Sequence, residues 1–482
     1  LDQGTTGSTC LVLAADGRVV GRGYREITQH YPRPGWVEHD ALEIFERTRD
    51  AAREAIAQAG VVPDAIGITN QRETIVVWER ATGRPVARAI VWQDRRTAIR
   101  CAELAPMAAD IARQTGLVVD PYFSGTKLEW MLRQDAALAR RAAAGELAAG
   151  TIDTWLIWCL TGGEVHATDP TNASRTMLYD IGTHDWSDAL GRLFGVPRGL
   201  LPDIRPSSGS FGVARAEHFG QAIPIGGVVG DQQAALYGQG CWSVGEGKNT
   251  YGTGAFLLFN AGTTRPRAGG GLLTTIACGA RGEPVYALEA AIFIAGAAVQ
   301  WLRDGLQVVP SASETEAMAR SVASTDGVFF VPALVGLAAP HWNANARGTI
   351  VGLTRGTTRA HLVRAALESM AYSTADVVAA AREHAGVTVE TLRVDGGATA
   401  NAWLMQCQAD VLGIPVERPD MAETTALGAA GLAGITTGVW RSPEEFLASR
   451  SFTKFSPVPD AAHDYAGWKR AVRAALAWAN DG

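Results

Sequence analysis

Asp2 stands just ahead of the run Gly4-Thr5-Thr6, a carboxylate beside a turn suited to holding an anion. Backbone N–H groups in a Gly-Thr turn point into a concavity that fits phosphate oxygens, and the Thr5 and Thr6 hydroxyls add donors. A carboxylate repels a bare phosphate, so Asp2 fits beside one only with a divalent cation between them. Mg²⁺ is typically held by one or two carboxylates plus substrate phosphates. Asp2 is thus a candidate Mg²⁺ ligand, or else a strand-end Asp closing an Asx turn. A second Gly/Thr loop, "NTYGTG" at 249–254, allows a triphosphate clamped between the two. "VDGGATAN" (394–401) presents Gly396 and Gly397 just before a helix start, where backbone can approach a flat ligand, or where a strand simply turns into a helix.

Asp231, after an apolar strand and Gly230, reads as an N-cap or as the carboxylate that accepts a proton from an attacking hydroxyl in phosphoryl transfer. Arg72 and Glu73 in "GITNQRET" read as a surface ion pair or as partners for vicinal hydroxyls. Trp92 and Phe256 suit a core as well as a site, and Tyr122 suits either.

Positioning these groups calls for strands that end where they begin. "CLVLAADGRVVGRGY" predicts a β-hairpin turning at the two residues Asp16-Gly17, 41–60 a helix closed by Gly60, and "DAIGITN" and "AIVWQD" (89–94) buried strands. Strands alternating with helices indicate an α/β protein with ligands at strand ends. The restart near 250, loop then hairpin, suggests one lobe duplicated, with a boundary at 235–245. At 482 residues two large lobes fit, taken as 1–240 and 241–482. A net charge of −6 without long single-sign runs offers no footprint for nucleic acid or an anionic membrane, leaving small-molecule partners. "AAIFIAGAAV" (290–299) is too short to span a bilayer. Six scattered cysteines read as reduced structural thiols, so the expectation is a cytoplasmic protein. Leu1 reads as mid-strand, so residues are expected to precede it.

Read together, "DQGTT", "PGWVEHD", "NQRET", "VWQDRR", "DPYFSGTKLEW", "TDPTNASRTML", "GDQQAAL", "NTYGTG" and "RVDGGATAN" resemble the glycerol branch of the FGGY carbohydrate kinases over essentially the whole chain. The resemblance implies two duplicated ribonuclease-H-like (actin-like ATPase) lobes around a central cleft, with glycerol and ATP as partners, Mg²⁺ as cofactor and a homodimer or homotetramer. It implies that Asp2 holds Mg²⁺; that Gly4, Thr5 and Thr6 cradle phosphate; and that Thr253, Gly296, Gln300, Gly397 and Asn401 bind nucleotide. Arg72, Glu73, Trp92, Tyr122, Asp231, Gln232 and Phe256 would bind the polyol, with Asp231 as catalytic base. Gly7-Ser8-Thr9 departs from the usual Ser-Ser-Arg, so an Arg near the terminal phosphate is missing; His341 and Asn343 replace a usual Tyr and Asp. Two rival readings are a sibling kinase of a pentulose or other polyol, and an actin- or Hsp70-like nucleotide-driven assembly protein.

Overall fold

The structure is a computed structural model and describes residues 1–459, 461 and 463–480, for Asn480 its backbone alone. One sheet forms the first half. Its order is Val213–Ala214, β5 (Ile223–Gly230), β4 (Ile66–Asn70), β1 (Asp2–Gln3), β2 (Gly7–Leu13) and β3 (Val19–Glu26). β1, β2 and β3 make an antiparallel meander, whereas β1, β4 and β5 run parallel. The second half repeats this plan. β6 (Glu246–Tyr251), β7 (Ala255–Gly262) and β8 (Pro284–Ile292) form the meander, and β9 (Thr391–Asp395) then β10 (Val416–Pro419) pair parallel beyond β6. In each lobe a Gly/Thr turn joins the first two strands: Gly4-Thr5-Thr6 between β1 and β2, Gly252-Thr253-Gly254 between β6 and β7. The duplicated α/β plan expected from the sequence is present.

Helix α1 (Ala41–Ala59) starts where the Asp40 carboxylate accepts from the N–H groups of Leu42 and Glu43, and stops at Gly60 with φ 69°. Its buried stripe, Ile44, Ala51 and Ala55, packs with Cys10, Val12 and Ile68 of the first sheet. Two local expectations are corrected. The hairpin after β2 closes through paired Ala14 and Arg18, leaving a three-residue loop with Gly17 left-handed (φ 79°), because a type I turn plus one left-handed residue matches the strand twist. The strand at 89–94 is only Ala89–Ile90. Beyond it the Asp94 carboxylate accepts from Val37 N–H and from Arg96, pinning a turn in place of a ladder. Ala89–Ile90 joins Glu38–His39, Ile75–Glu79 and Leu147–Thr151 in a separate four-stranded sheet.

The lobes exchange helices. Helix α2 (Asp231–Gly238) follows β5, and helix α3 (Thr424–Thr437), from the far end of the chain, lies against β4, β5 and α2. Small residues permit this: a Cβ on Gly67 would sit 2.1 Å from Ala429 O, and one on Gly428 2.0 Å from Ala234 O. All six cysteines are free, and all but the half-buried Cys159 are buried. Among the described residues no helix is long and apolar enough to cross a membrane.

Candidate active site

Three parallel strands end side by side at the cleft. Asp2 pairs in register with Thr69, and Gly230 with Asn70. Asp2, the segment Gln71–Glu73 and Asp231 therefore meet at one sheet edge, the place where open α/β sheets bind ligands. Asp231 is not an N-cap; Gly230 holds that position and Asp231 is the first helical residue. Its Oδ1 accepts from Gln232 N–H at 2.7 Å and lies 3.2 Å from Arg72 Nε. Burial raises the carboxyl pKa of Asp231. Asp2 is raised to about 7, first by burial and then by the negative charge of Asp231. Two carboxylates that repel each other at a phosphate-sized turn are a donor set that suits a hard divalent cation, with phosphate oxygens completing its shell. Beside them, no acceptor among the described residues takes the backbone N–H of Thr5 or of Thr6.

Arg72 and Glu73 form no surface pair: their side chains are 2% and 1% exposed, against 30% for Asp231. Glu73 adopts φ 62°, a left-handed conformation unusual for a side-chain-bearing residue, which turns it back into the cleft. Arg72 donates from Nη1 to Glu289 Oε2 at 2.6 Å and from Nη2 to Glu289 Oε1 at 3.0 Å, and also from Nη1 to Gln233 Oε1 at 3.1 Å. Arg175 donates from Nε to Glu73 Oε1 and from Nη2 to Glu289 Oε1. Glu289 belongs to β8, so this fully buried cluster spans both lobes. Although burial pushes the Glu289 carboxyl up, Arg175 and Arg72 hold it down at about 2. Arg72 is thus largely committed to protein partners: Nε faces Asp231, and one Nη2–H is left for a ligand. Glu73 Oε2 and the Tyr122 hydroxyl make no hydrogen bond among the described residues, and Arg175 Nη1 is buried without a partner; these are the open polar atoms here.

Trp92 and Tyr122 meet edge to face, centroids 5.4 Å apart. The Trp92 indole N–H donates to Thr5 Oγ1 at 2.9 Å, which ties this aromatic pair to the Gly4-Thr5-Thr6 turn. Phe256 lies across the ladder from Thr250 and Ala291, on the same face as Lys248 and Glu289. That face looks at the first lobe, since Lys248 Nζ donates to Gln232 Oε1 as well as to Thr250 Oγ1. Burial lowers the Lys248 ammonium to about 8, against the pull of Asp395 and Asp231.

Thr253, Gly296, Gln300, Gly397 and Asn401 line one cavity of about 640 Å³ in the second lobe. Asn401 caps the helix Ala402–Leu412 by accepting from Leu404 N–H, and its amide donates to Thr315 Oγ1. Gly396, with φ 90°, is a packing residue; a Cβ there would sit 2.2 Å from Tyr251 O, whereas nothing lies within 4 Å of one on Gly397. The sequence reasoning passed over Arg175, Lys248 and Glu289. Glu289 carried a signal, a lone acid in the apolar run "VYALEAAIF"; Arg175 lies within "TDPTNASRTML" and Lys248 just before "NTYGTG", with nothing local to mark either as buried.

A duplicated two-lobe fold with a Gly/Thr turn in each lobe and a carboxylate pair at the strand ends of the first is the plan of a phosphotransferase class. The model of the N-terminal domain of the FGGY family of carbohydrate kinases matches residues 1–238, and that of the C-terminal domain matches 247–437. Glycerol kinase 2 of Thermotoga maritima is 53% identical, with 99% of this chain and 98% of that protein covered. The glycerol kinase of Symbiobacterium thermophilum is 54% identical, with 99% and 98% covered. The crystal structure of Plasmodium falciparum glycerol kinase with ADP superposes with a TM-score of 0.93 at 36% identity, covering 98% of this chain and 97% of that one. The chain belongs to the FGGY family of carbohydrate kinases and, within it, to the glycerol kinases.

Proposed function

We propose that the chain transfers the terminal phosphoryl group of ATP in line to a primary hydroxyl of glycerol, giving sn-glycerol 3-phosphate and ADP. The observation that carries this reading is Asp231, the one exposed carboxylate of the buried charge cluster, set between the polyol residues and the Thr5–Thr6 turn. Asp231 takes the proton of the attacking hydroxyl, and its raised pKa makes it the stronger acceptor. Glu73 Oε2, the remaining Arg72 Nη2–H and the Tyr122 hydroxyl hold the other hydroxyls, while Trp92 and Phe256 exclude water from the carbon chain. Gln232 is held by Lys248 and borders the same pocket. Gly4, Thr5 and Thr6 cradle the transferring phosphate, and Thr253, Gly296, Gln300, Gly397 and Asn401 take the rest of the nucleotide. Asp2 and Asp231 are the carboxylates that would hold Mg²⁺. When bound, it supplies neutralising charge to the phosphates. The lobes in this reading divide at 240/241. ADP release coupled to glycerol addition tests the function: glycerol-dependent turnover is expected, and turnover with a pentulose but not with glycerol overturns it.

A further inference from the structure

His39 belongs to none of the sites above, yet it is wholly buried at the corner where the four-stranded sheet meets the phosphate turn. Its Nε2 lies 2.8 Å from Gln29 Oε1, and its Nδ1 lies 3.4 Å from Gln71 Nε2. Gln29 Nε2 donates to the Thr5 carbonyl at 2.8 Å. Thr5 Oγ1 accepts from the Trp92 indole, Trp92 N–H donates to Thr74 Oγ1 at 3.2 Å, and Thr74 Oγ1 donates to Gln71 Oε1 at 2.9 Å. These bonds close on themselves.

We propose that His39 is a positioning residue that locks the Gly4-Thr5 phosphate turn to the Trp92 wall through this closed ring of hydrogen bonds. The donor and acceptor assignments leave one solution. Gln29 gives its N–H to Thr5, so its oxygen accepts and His39 Nε2 carries the proton. Gln71 Nε2 has two hydrogens for three acceptors, Gln3 Oε1 at 3.0 Å, the Gly4 carbonyl at 3.3 Å and His39 Nδ1 at 3.4 Å, so the contact to Nδ1 shares a hydrogen with the Gly4 carbonyl; with the proton on Nε2, Nδ1 is the accepting nitrogen. The ring therefore needs a neutral imidazole with one donor and one acceptor on opposite sides. Burial favours the neutral form of His39, consistent with that need. Both carbonyls of the turn, Gly4 through Gln71 and Gln3 and Thr5 through Gln29, are thereby held in place. The Gly4 N–H closes the turn on the Gly7 carbonyl, the Thr5 and Thr6 N–H groups stay without a protein acceptor among the described residues, and the indole that would face the polyol is set by the same bonds. Such a link makes the phosphate and polyol halves one rigid unit, where a displacement of about 1 Å costs on the order of 100-fold in rate.

The inference rests on the proposed phosphoryl transfer, and its test has a readout independent of it. His39→Leu removes donor and acceptor at similar volume; His39→Gln restores both. Expected for His39→Leu are a kcat lowered roughly 10- to 100-fold, a raised KM for ATP, and faster amide hydrogen exchange over 4–7 and 92–94. The Gln variant should lie close to wild type in all three. A folded Leu variant with wild-type exchange and kcat overturns the proposal, as does a Gln variant no better than Leu. If the Leu variant fails to fold, Gln29→Met cuts the ring at its next link and must give the same loss of kcat and of exchange protection; normal values there overturn it. Absence of glycerol-dependent turnover in the wild type would instead sink the proposed function, and the exchange comparison would still decide the ring.

Discussion

Arg72 at the end of β4 and Glu289 in the middle of β8 are joined by two hydrogen bonds, 2.6 and 3.0 Å, across the two lobes. Arg72, a polyol ligand in the proposed reading, is thus held by a buried carboxylate of the other lobe. Breaking one side of a buried pair leaves an uncompensated charge, a loss of about 3–5 kcal/mol in typical cases. Glu289→Gln should therefore lower the melting temperature and also cut kcat/KM for glycerol, because Arg72 and Arg175 lose their common anchor. Steady-state kinetics with thermal melts check this; an unchanged kcat/KM would mean that the ion cluster is structural only.

How far this site could be seen beforehand depended on the kind of information each residue carried. Asp2, Asp231 and the two Gly/Thr turns are local signals, a polar group at the end of an apolar run, and they appear at the strand ends where that pattern put them. The helix at 41–59 was equally plain, since cap, stripe and Gly60 all agree. Glu289 and Arg175 lie more than one hundred residues from each other and from one or both of their partners, Arg72 and Glu73, so no window of sequence joins them. For the same reason a surface ion pair stayed open as a reading of Arg72 and Glu73, whereas the fold buries both.

Asp231→Asn keeps the shape of the side chain and removes the proton acceptor. Turnover should fall by ~10²- to 10⁴-fold, the usual share of general-base catalysis. Glycerol binding, measured calorimetrically, should change little. Near-wild-type turnover would take Asp231 out of the chemistry.

Specificity should follow the open polar atoms. Glu73 Oε2 and the Tyr122 hydroxyl make no hydrogen bond among the described residues, and a bound substrate that covers them while lacking a hydroxyl leaves one of them unpaired. Propane-1,3-diol should have a kcat/KM well below that of glycerol. Tyr122→Phe should narrow the gap between the two if it is Tyr122 that reads the central hydroxyl. Equal efficiency for the two substrates in the wild type would show that the pocket does not count hydroxyls.

The buried histidines set a pH dependence of stability. His39 and His166 are each pushed down to about 4 from an ordinary 6.5, chiefly by burial. Below 6.5 the unfolded chain takes up protons that the folded one refuses, so each group lowers stability as pH falls from 6.5 toward 4; at about 1.4 kcal/mol per pKa unit, the loss is on the order of a few kcal/mol each. Asp2 and Asp153, each raised to about 7, act in the opposite sense over the same range, so the readout is a difference: in urea unfolding between pH 7 and 4.5 the wild type should lose stability relative to His39→Gln as pH falls. Parallel curves for the two proteins would show that His39 titrates as it would in water.

Thr9 stands opposite Asp2 in the β1–β2 ladder and opposite Tyr24 in the β2–β3 ladder, half-buried on the carboxylate's side. An Arg at this position would project along the same face. Thr9 carries no charge, so in the proposed reading no cation from β2 would balance the phosphate, and the load would fall on Mg²⁺ and the two turns. Thr9→Arg adds a planar fork that pairs with phosphate or carboxylate oxygens through two bonds at once. Two effects should therefore appear together: a lower KM for ATP, as the guanidinium meets the terminal phosphate, and a weaker dependence of rate on Mg²⁺ concentration, as it takes over part of the neutralisation. A titration of Mg²⁺ at fixed ATP, run on both proteins, separates the contributions. A lower KM with unchanged Mg²⁺ dependence would place the Arg on phosphate alone. No movement in either quantity would show that position 9 lies outside the reach of the nucleotide.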